Sequence, residues 1–237
     1  MEGKLAHQPA ASTPAAVSGR SIATRAKLIS VAEMLFATRG VQAVSLNEIN
    51  KAAEQRHGSA CQYHFGNKDG LIQAILDKHV PPIAEQRNVL FDAMEREGGA
   101  PRLEQVVRAF VRPVAAKLLD PDGGKEFIRL NAQLVATHSA PVGAEVQVLF
   151  RAPQTGRLHR MLELAMRQRK IPPHVSARRL ILAAVMLYHG LADYSHVLEA
   201  TGGLDPEQVE HFSRDLEAMI LGALVAPFDK REQADGK

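Results

Sequence analysis

Glu54–Leu71 reads EQRHGSACQYHFGNKDGL, a polar and aromatic interruption in a chain whose other segments are spaced like helix. Upstream, Ser45-Leu46-Asn47-Glu48 has the spacing of a capping box and opens a short helix through Ala53. Before it, Leu28, Ala32, Leu35 and Phe36 share one face of a helix predicted over Thr24–Arg39, which Gly40 stops. Within the stretch a second short helix should begin near Gly58-Ser59 and end at Tyr63–Phe65, after which Asn67 caps a helix starting at Lys68 or Asp69. Two short helices joined by a tight turn and packed on a longer one form a helix-turn-helix.

The side chains suit that reading. The second short helix of such a motif enters a major groove about 12 Å wide and presents its first residues to base edges. Arg56, His57, Ser59, Ala60 and Gln62 occupy the start and outer face of that helix. Arginine pairs with guanine edges and glutamine with adenine, while alanine or serine leaves room for a thymine methyl. Tyr63 and His64 can donate to phosphate oxygens, as can Lys68 and the amide-rich helix starts near Ser45 and Asn47. Phe65 should close a small core over Phe36 and Ile49, with Cys61 a small buried residue rather than a redox switch. Charge agrees. Residues 20–80 hold eight basic and five acidic side chains, whereas residues 81–237 balance at 20 each, so the net +3 resides in this segment.

The rest of the chain is helical in pattern, with no sustained strand-like alternation and about nine helices in all. Pro81-Pro82 should kink or interrupt the helix that starts at Lys68, and further helices are expected over 102–119, 125–138 and 142–169, the last bent at Pro153. A long helix should follow Pro172-Pro173, and Asp205 with Pro206 opens a final one to about Val225. The expected organisation is a tail over 1–20, a three-helix DNA-binding domain over 21–70, a larger helical bundle over 71–228 and a second tail over 229–237. No apolar run approaches the ~20 residues that span a bilayer, the opening does not read as a secretory signal, and one cysteine fits a reducing cytoplasm. The patterns of serine hydrolases, phosphate-cradling loops and zinc proteases are missing, and the histidines lack ligand spacing. No enzyme, cofactor or metal is expected.

"FATRG" at 36–40, "VSLNEINKAA" at 44–53 and "YHFGNKDGLIQAIL" at 63–76 resemble the N-terminal domain of the TetR family of transcriptional regulators. Two features depart from the family: Glu54 stands where a glycine usually follows the second helix, and the turn is one residue longer, which leaves open whether Arg56 or His57 reaches a base. The resemblance implies a homodimer that reads a double-stranded operator and binds a small effector in its C-terminal domain. Under it, Leu180, Ala184, Leu187, Leu191, Phe212, Leu216, Met219 and Ile220, on two helical stripes, form the dimer interface. The middle helices are aliphatic and poor in aromatics, which favours a mostly apolar effector lined by Phe127, Asn131, Leu134, His138 and Met161. The expected function is a repressor released from DNA by that effector. An activator or ligand-independent regulator, or a helical small-molecule-binding protein or enzyme without DNA binding, are the alternatives.

Overall fold

The computed structural model describes residues 14–55, 57–138, 156–200 and 205–228. Residues 1–13 of the first expected tail, Arg56, 139–155 with the expected bend at Pro153, 201–204 and the whole second expected tail lie outside the described residues. Nine α-helices and no strand occur among those described. They are α1 (Pro14–Arg39), α2 (Leu46–Ala52), α3 (Ala60–Phe65), α4 (Lys68–Glu97), α5 (Leu103–Ala115, continued by a 3-10 turn Ala116–Leu119), α6 (Gly124–His138), α7 (Gly156–Gln168), α8 (Pro173–Ala200) and α9 (Pro206–Val225).

Helices α1–α3 enclose a small core in which Leu28, Ala32, Phe36, Ile49, Ala53 and Cys61 are buried. The capping box forms as spaced: Glu48 N donates to Ser45 Oγ at 3.2 Å and Ser45 N to Glu48 Oε2 at 2.8 Å. Helix α1 begins ten residues earlier than the apolar spacing predicts, and its described residues Gly19–Ala23 are all exposed, with no core face to betray them.

Helix α4 runs 30 residues unbroken through Pro81 and Pro82, so of the kink or interruption expected there the interruption does not occur. Proline in a helix interior costs about 3 kcal/mol. Burial of Ile75, Ile83, Ala84 and Phe91 along the same helix offsets that cost. A third interior proline is repaired by a side chain. Pro113 has no N–H to give the Ala109 carbonyl, and Arg87 supplies the donor from α4: Nε reaches Ala109 O and Nη2 reaches Phe110 O, both at 3.2 Å. Burial pulls the Arg87 guanidinium below its ordinary pKa.

Helix α8 is long and apolar enough to cross a membrane by length and composition alone. Its Leu187 and Leu191 are fully buried and it packs on α6 and α9, as a core helix does. Tyr194 of α8 stacks flat on Phe212 of α9 at 3.9 Å, and Arg179 donates to Leu224 O at 2.7 Å and Ala226 O at 2.6 Å, closing the C-terminal end of α9.

Two polar clusters bolt α1–α3 to the larger body. Gln133 of α6 donates to Phe36 O at 2.9 Å and accepts from Val41 N at 3.0 Å, satisfying the end of α1. Glu33 of α1, buried, takes Lys78 Nζ at 3.0 Å and His79 Nε2 at 2.8 Å from α4, and Lys78 also holds Asp122. Gly123 permits this approach: its φ is +79°, and a Cβ there would lie 2.4 Å from Glu33 Oε2.

Candidate nucleic-acid interface

Helix α3 is positioned from α2 by one buried amide. Asn50 Nδ2 donates to the Gly58 carbonyl in the inter-helix turn, and Asn50 Oδ1 accepts from Cys61 N at 2.9 Å in the first turn of α3. Asn50 is 2 % exposed and shares the inner face of α2 with Leu46, Ile49 and Ala53. An asparagine at an apolar-face position was the available sequence signal, and motif reading passed over it. From the other side, Gly70 of α4 sits against the end of α3, where a Cβ would come within 2.0 Å of the Phe65 carbonyl.

The turn between α2 and α3 runs through Glu54 at φ +55°, the left-handed region that favours glycine. This is the position where the expected glycine is missing. Glu54 turns back to Lys27 of α1 at 2.8 Å, away from α3, and that ion pair lowers its carboxyl pKa. Cys61 is buried, as expected, and burial pushes its thiol up to about 11, far from the thiolate that redox chemistry needs.

What remains on the outside is the polar set. His57, Ser59, Gln62 and Tyr63 are exposed, Tyr63 to 83 %, while Ala60 and His64 are half-buried. The Ser59 side chain makes no capping bond, so its hydroxyl is not spent on the helix. Tyr63 and His64 meet edge-on at 5.1 Å. Ser45 and Asn47 are exposed at the start of α2, on the same small domain. Lys68 is partly committed inward: half-buried, it donates to Val41 O at 2.9 Å and braces the turn before α2. An ammonium has three donors, so two remain for another acceptor. Phe65 packs on the core as predicted, and the Arg25 guanidinium lies over its ring at 5.3 Å.

The residues assigned to effector and dimer fare differently. Phe127, Asn131, Leu134 and Met161 are all buried. Phe127 stacks on His79 at 4.6 Å, and Asn131 closes its own helical turn on Phe127 O at 2.8 Å. Phe127, Asn131 and Met161 are packing residues that line neither of two surface cavities; the His138 side chain lies outside the described residues. One cavity, about 470 Å³, lies between α4, α5 and α9, with Val89, Leu90, Pro113, Leu119 and Val209 as apolar walls and Gln86 and Arg112 as polar ones. The other, about 600 Å³, lies in the seam beside Val41, Lys68, Ile72, Gln133 and Leu134. Leu180, Ala184, Leu187, Leu191, Leu216 and Ile220 are buried inside their own chain and Phe212 is half-buried on Tyr194, so these stripes face the subunit core. Of the expected interface only Met219 is freely exposed; Leu182, Val197 and Val225 are exposed apolar residues on the same two helices. The periodicity identified amphipathic faces correctly and assigned the inner one to the partner.

Residues 28–75 match the family model for the bacterial regulatory proteins of the tetR family. No curated protein matches the chain. Among solved structures, one described as a TetR-family transcriptional regulator from Rhodococcus sp. is 17 % identical, with TM-score 0.46, covering 85 % of this chain and 97 % of its own. AmtR of Mycobacterium smegmatis is 15 % identical, with TM-score 0.43 and coverage of 88 % and 89 %. A gamma-butyrolactone receptor, ArpA-like, is 20 % identical, with TM-score 0.42 and coverage of 85 % and 97 %. These likenesses are too distant to carry anything about ligand or operator.

Proposed function

We propose, from the match of residues 28–75 to the family model of the bacterial regulatory proteins of the tetR family, that the chain is a cytoplasmic homodimeric repressor of that family, released from its operator by a small, mostly apolar effector. The observation that carries the DNA-binding part is the reading helix: α3 is pinned from below by Asn50 and presents His57, Ser59, Gln62 and Tyr63 outward. Gln62 and the start of α3 read base edges, while Tyr63, His64, Lys68, Ser45 and Asn47 hold phosphates. Exposed Leu182, Val197, Met219 and Val225 on α8 and α9 supply the dimer contact in place of the buried stripes. Two-fold symmetry then sets two α3 helices about one DNA turn, ~34 Å, apart. A monomer in sedimentation at micromolar concentration would count against this.

The effector site in this reading is the groove of about 470 Å³ between α4, α5 and α9, whose size and apolar walls suit a small molecule. Helix α4 lines that groove and, two turns earlier, carries Lys78 and His79 against Glu33 of α1. A ligand that shifts α4 therefore biases the angle of the DNA-binding domain, provided it prefers one of the two arrangements. The test is a mobility shift on the chain's own upstream DNA at increasing salt. Binding should weaken steeply as salt rises. Lys68→Ala should weaken all sequences alike, and Gln62→Ala should relax base preference. Small-molecule turnover without DNA retention would favour a helical enzyme on this scaffold.

A further inference from the structure

We propose that the N-terminal end of α1 is a second DNA-contacting element, in which Arg25 and Arg20 grip the phosphate backbone beside the groove that α3 enters. This rests on the DNA-binding reading above. The face of α1 that packs on the domain through Leu28, Ala32 and Phe36 does not stop at Leu28; at helical spacing it continues through Arg25 and Ser21. From Gly19 to Lys27 every residue is exposed except half-buried Thr24, and Ile22 is 67 % exposed. The helix nevertheless runs through all nine of these residues before its first buried position, Leu28, about 14 Å of overhang.

Three observations fix what covers this overhang. Arg25 ties it to the reading helix, its guanidinium lying 5.3 Å above the ring of Phe65, the last residue of α3. Tyr63 and His64, the phosphate donors of the proposed interface, are the two residues before that ring, so Arg25 stands within the same footprint. Its charge is also uncompensated. Lys27 is neutralised by Glu54, but Arg20 and Arg25 have no carboxylate partner among the described residues, and the sequence has no acid between Glu2 and Glu33. A cation seated on an aromatic face keeps guanidinium donors free for phosphate, and its ring support fixes where they point.

The test uses the full chain and a duplex of about 30 bp enriched by the wild-type protein from a random pool, titrated from about 50 to about 200 mM salt. Each lost phosphate contact lowers the slope of log K against log salt by about 0.9. Arg25→Gln should therefore reduce the slope by about 1 per subunit, and Arg20→Gln with Arg25→Gln by about 2. Affinity at about 100 mM salt should fall about tenfold or more, equally on enriched and random duplexes. Arg25→Lys, which keeps the cation, should restore most of the slope. All these positions are exposed, so the helical circular dichroism should not change. Unchanged slope and affinity in the double variant, while Gln62→Ala still alters base preference, would overturn this inference alone. A wild-type chain that enriches no duplex would overturn it together with the reading on which it rests.

Discussion

The small N-terminal domain and the larger helical body are held in shape by different kinds of interaction. In the first, three short or overhanging helices bury few side chains, and their relative positions are set by directional bonds: the Ser45–Glu48 box, the Asn50 bridge and the Gln133 clasp. In the second, long helices bury whole aliphatic stripes, and the polar groups that matter repair local faults, as Arg87 does for Pro113. Directional bonds require particular residues at particular spacings, so the small domain leaves a motif in the sequence. Aliphatic burial accepts many residues of similar volume, so the body leaves only a period.

The strongest test of that contrast is Arg87→Ala. It strips the Nε donor from the Ala109 carbonyl and removes buried packing, and should cost about 3 kcal/mol of unfolding free energy measured by denaturant titration. Adding Pro113→Ala restores a backbone N–H to that carbonyl, so the double variant should recover part of the loss. Strict additivity would show that Arg87 is not a proline repair. Next, Asn50→Ala should destabilise by about 2 kcal/mol, from two orphaned backbone groups, and should weaken DNA binding beyond what the stability loss explains. Asn50→Asp, which keeps the acceptor for Cys61 N but loses the donor to Gly58 O, separates the two bonds. Smaller, at about 1–2 kcal/mol, is Gly123→Ala, which meets both a positive φ and the Glu33 carboxylate. Because Glu33 belongs to the seam, this variant should also change DNA affinity if the seam transmits the effector signal; altered stability with unchanged affinity would show the cluster to be structural only.

The smallest effect is on the exposed side of the small domain. The Ser45 backbone amide, first, and the Arg39 guanidinium hold the Glu48 carboxyl down from 4.5 to about 2. A carboxyl depressed in the folded state stabilises above its unfolded pKa and loses that contribution as pH falls through the folded one. The capping box should therefore weaken between pH 4.5 and about 2. Following α1–α3 by chemical shift through that range, with Glu48→Gln as control, should show a titration in wild type that the variant lacks.

Much of this was legible beforehand. Ser45, Asn67 and Asp205 each cap the helix their spacing announced, and α3 falls within one residue of its expected span. The misses share a cause. Periodicity places Leu187 and Ile220 on apolar faces, but which of two faces meets the subunit's own core and which a partner depends on where other helices lie. Pro81 and Pro82 read as breakers because a local rule cannot weigh the burial that holds α4 together around them.

The order of side chains alone determined that the chain is helical, where most helices begin and end, and that residues near 45–68 form a helix-turn-helix, because caps, turns and helical periods are properties of neighbours within a few positions. Only the tertiary structure decided that Arg87 mends Pro113, that Glu33 is buried against His79, that the apolar stripes of α8 and α9 turn inward and that Arg25 rests on Phe65. Those contacts join groups far apart in the chain, 22 positions for Arg87 and Ala109 and 46 for Glu33 and His79, and short-range spacing carries no information about which distant groups will meet.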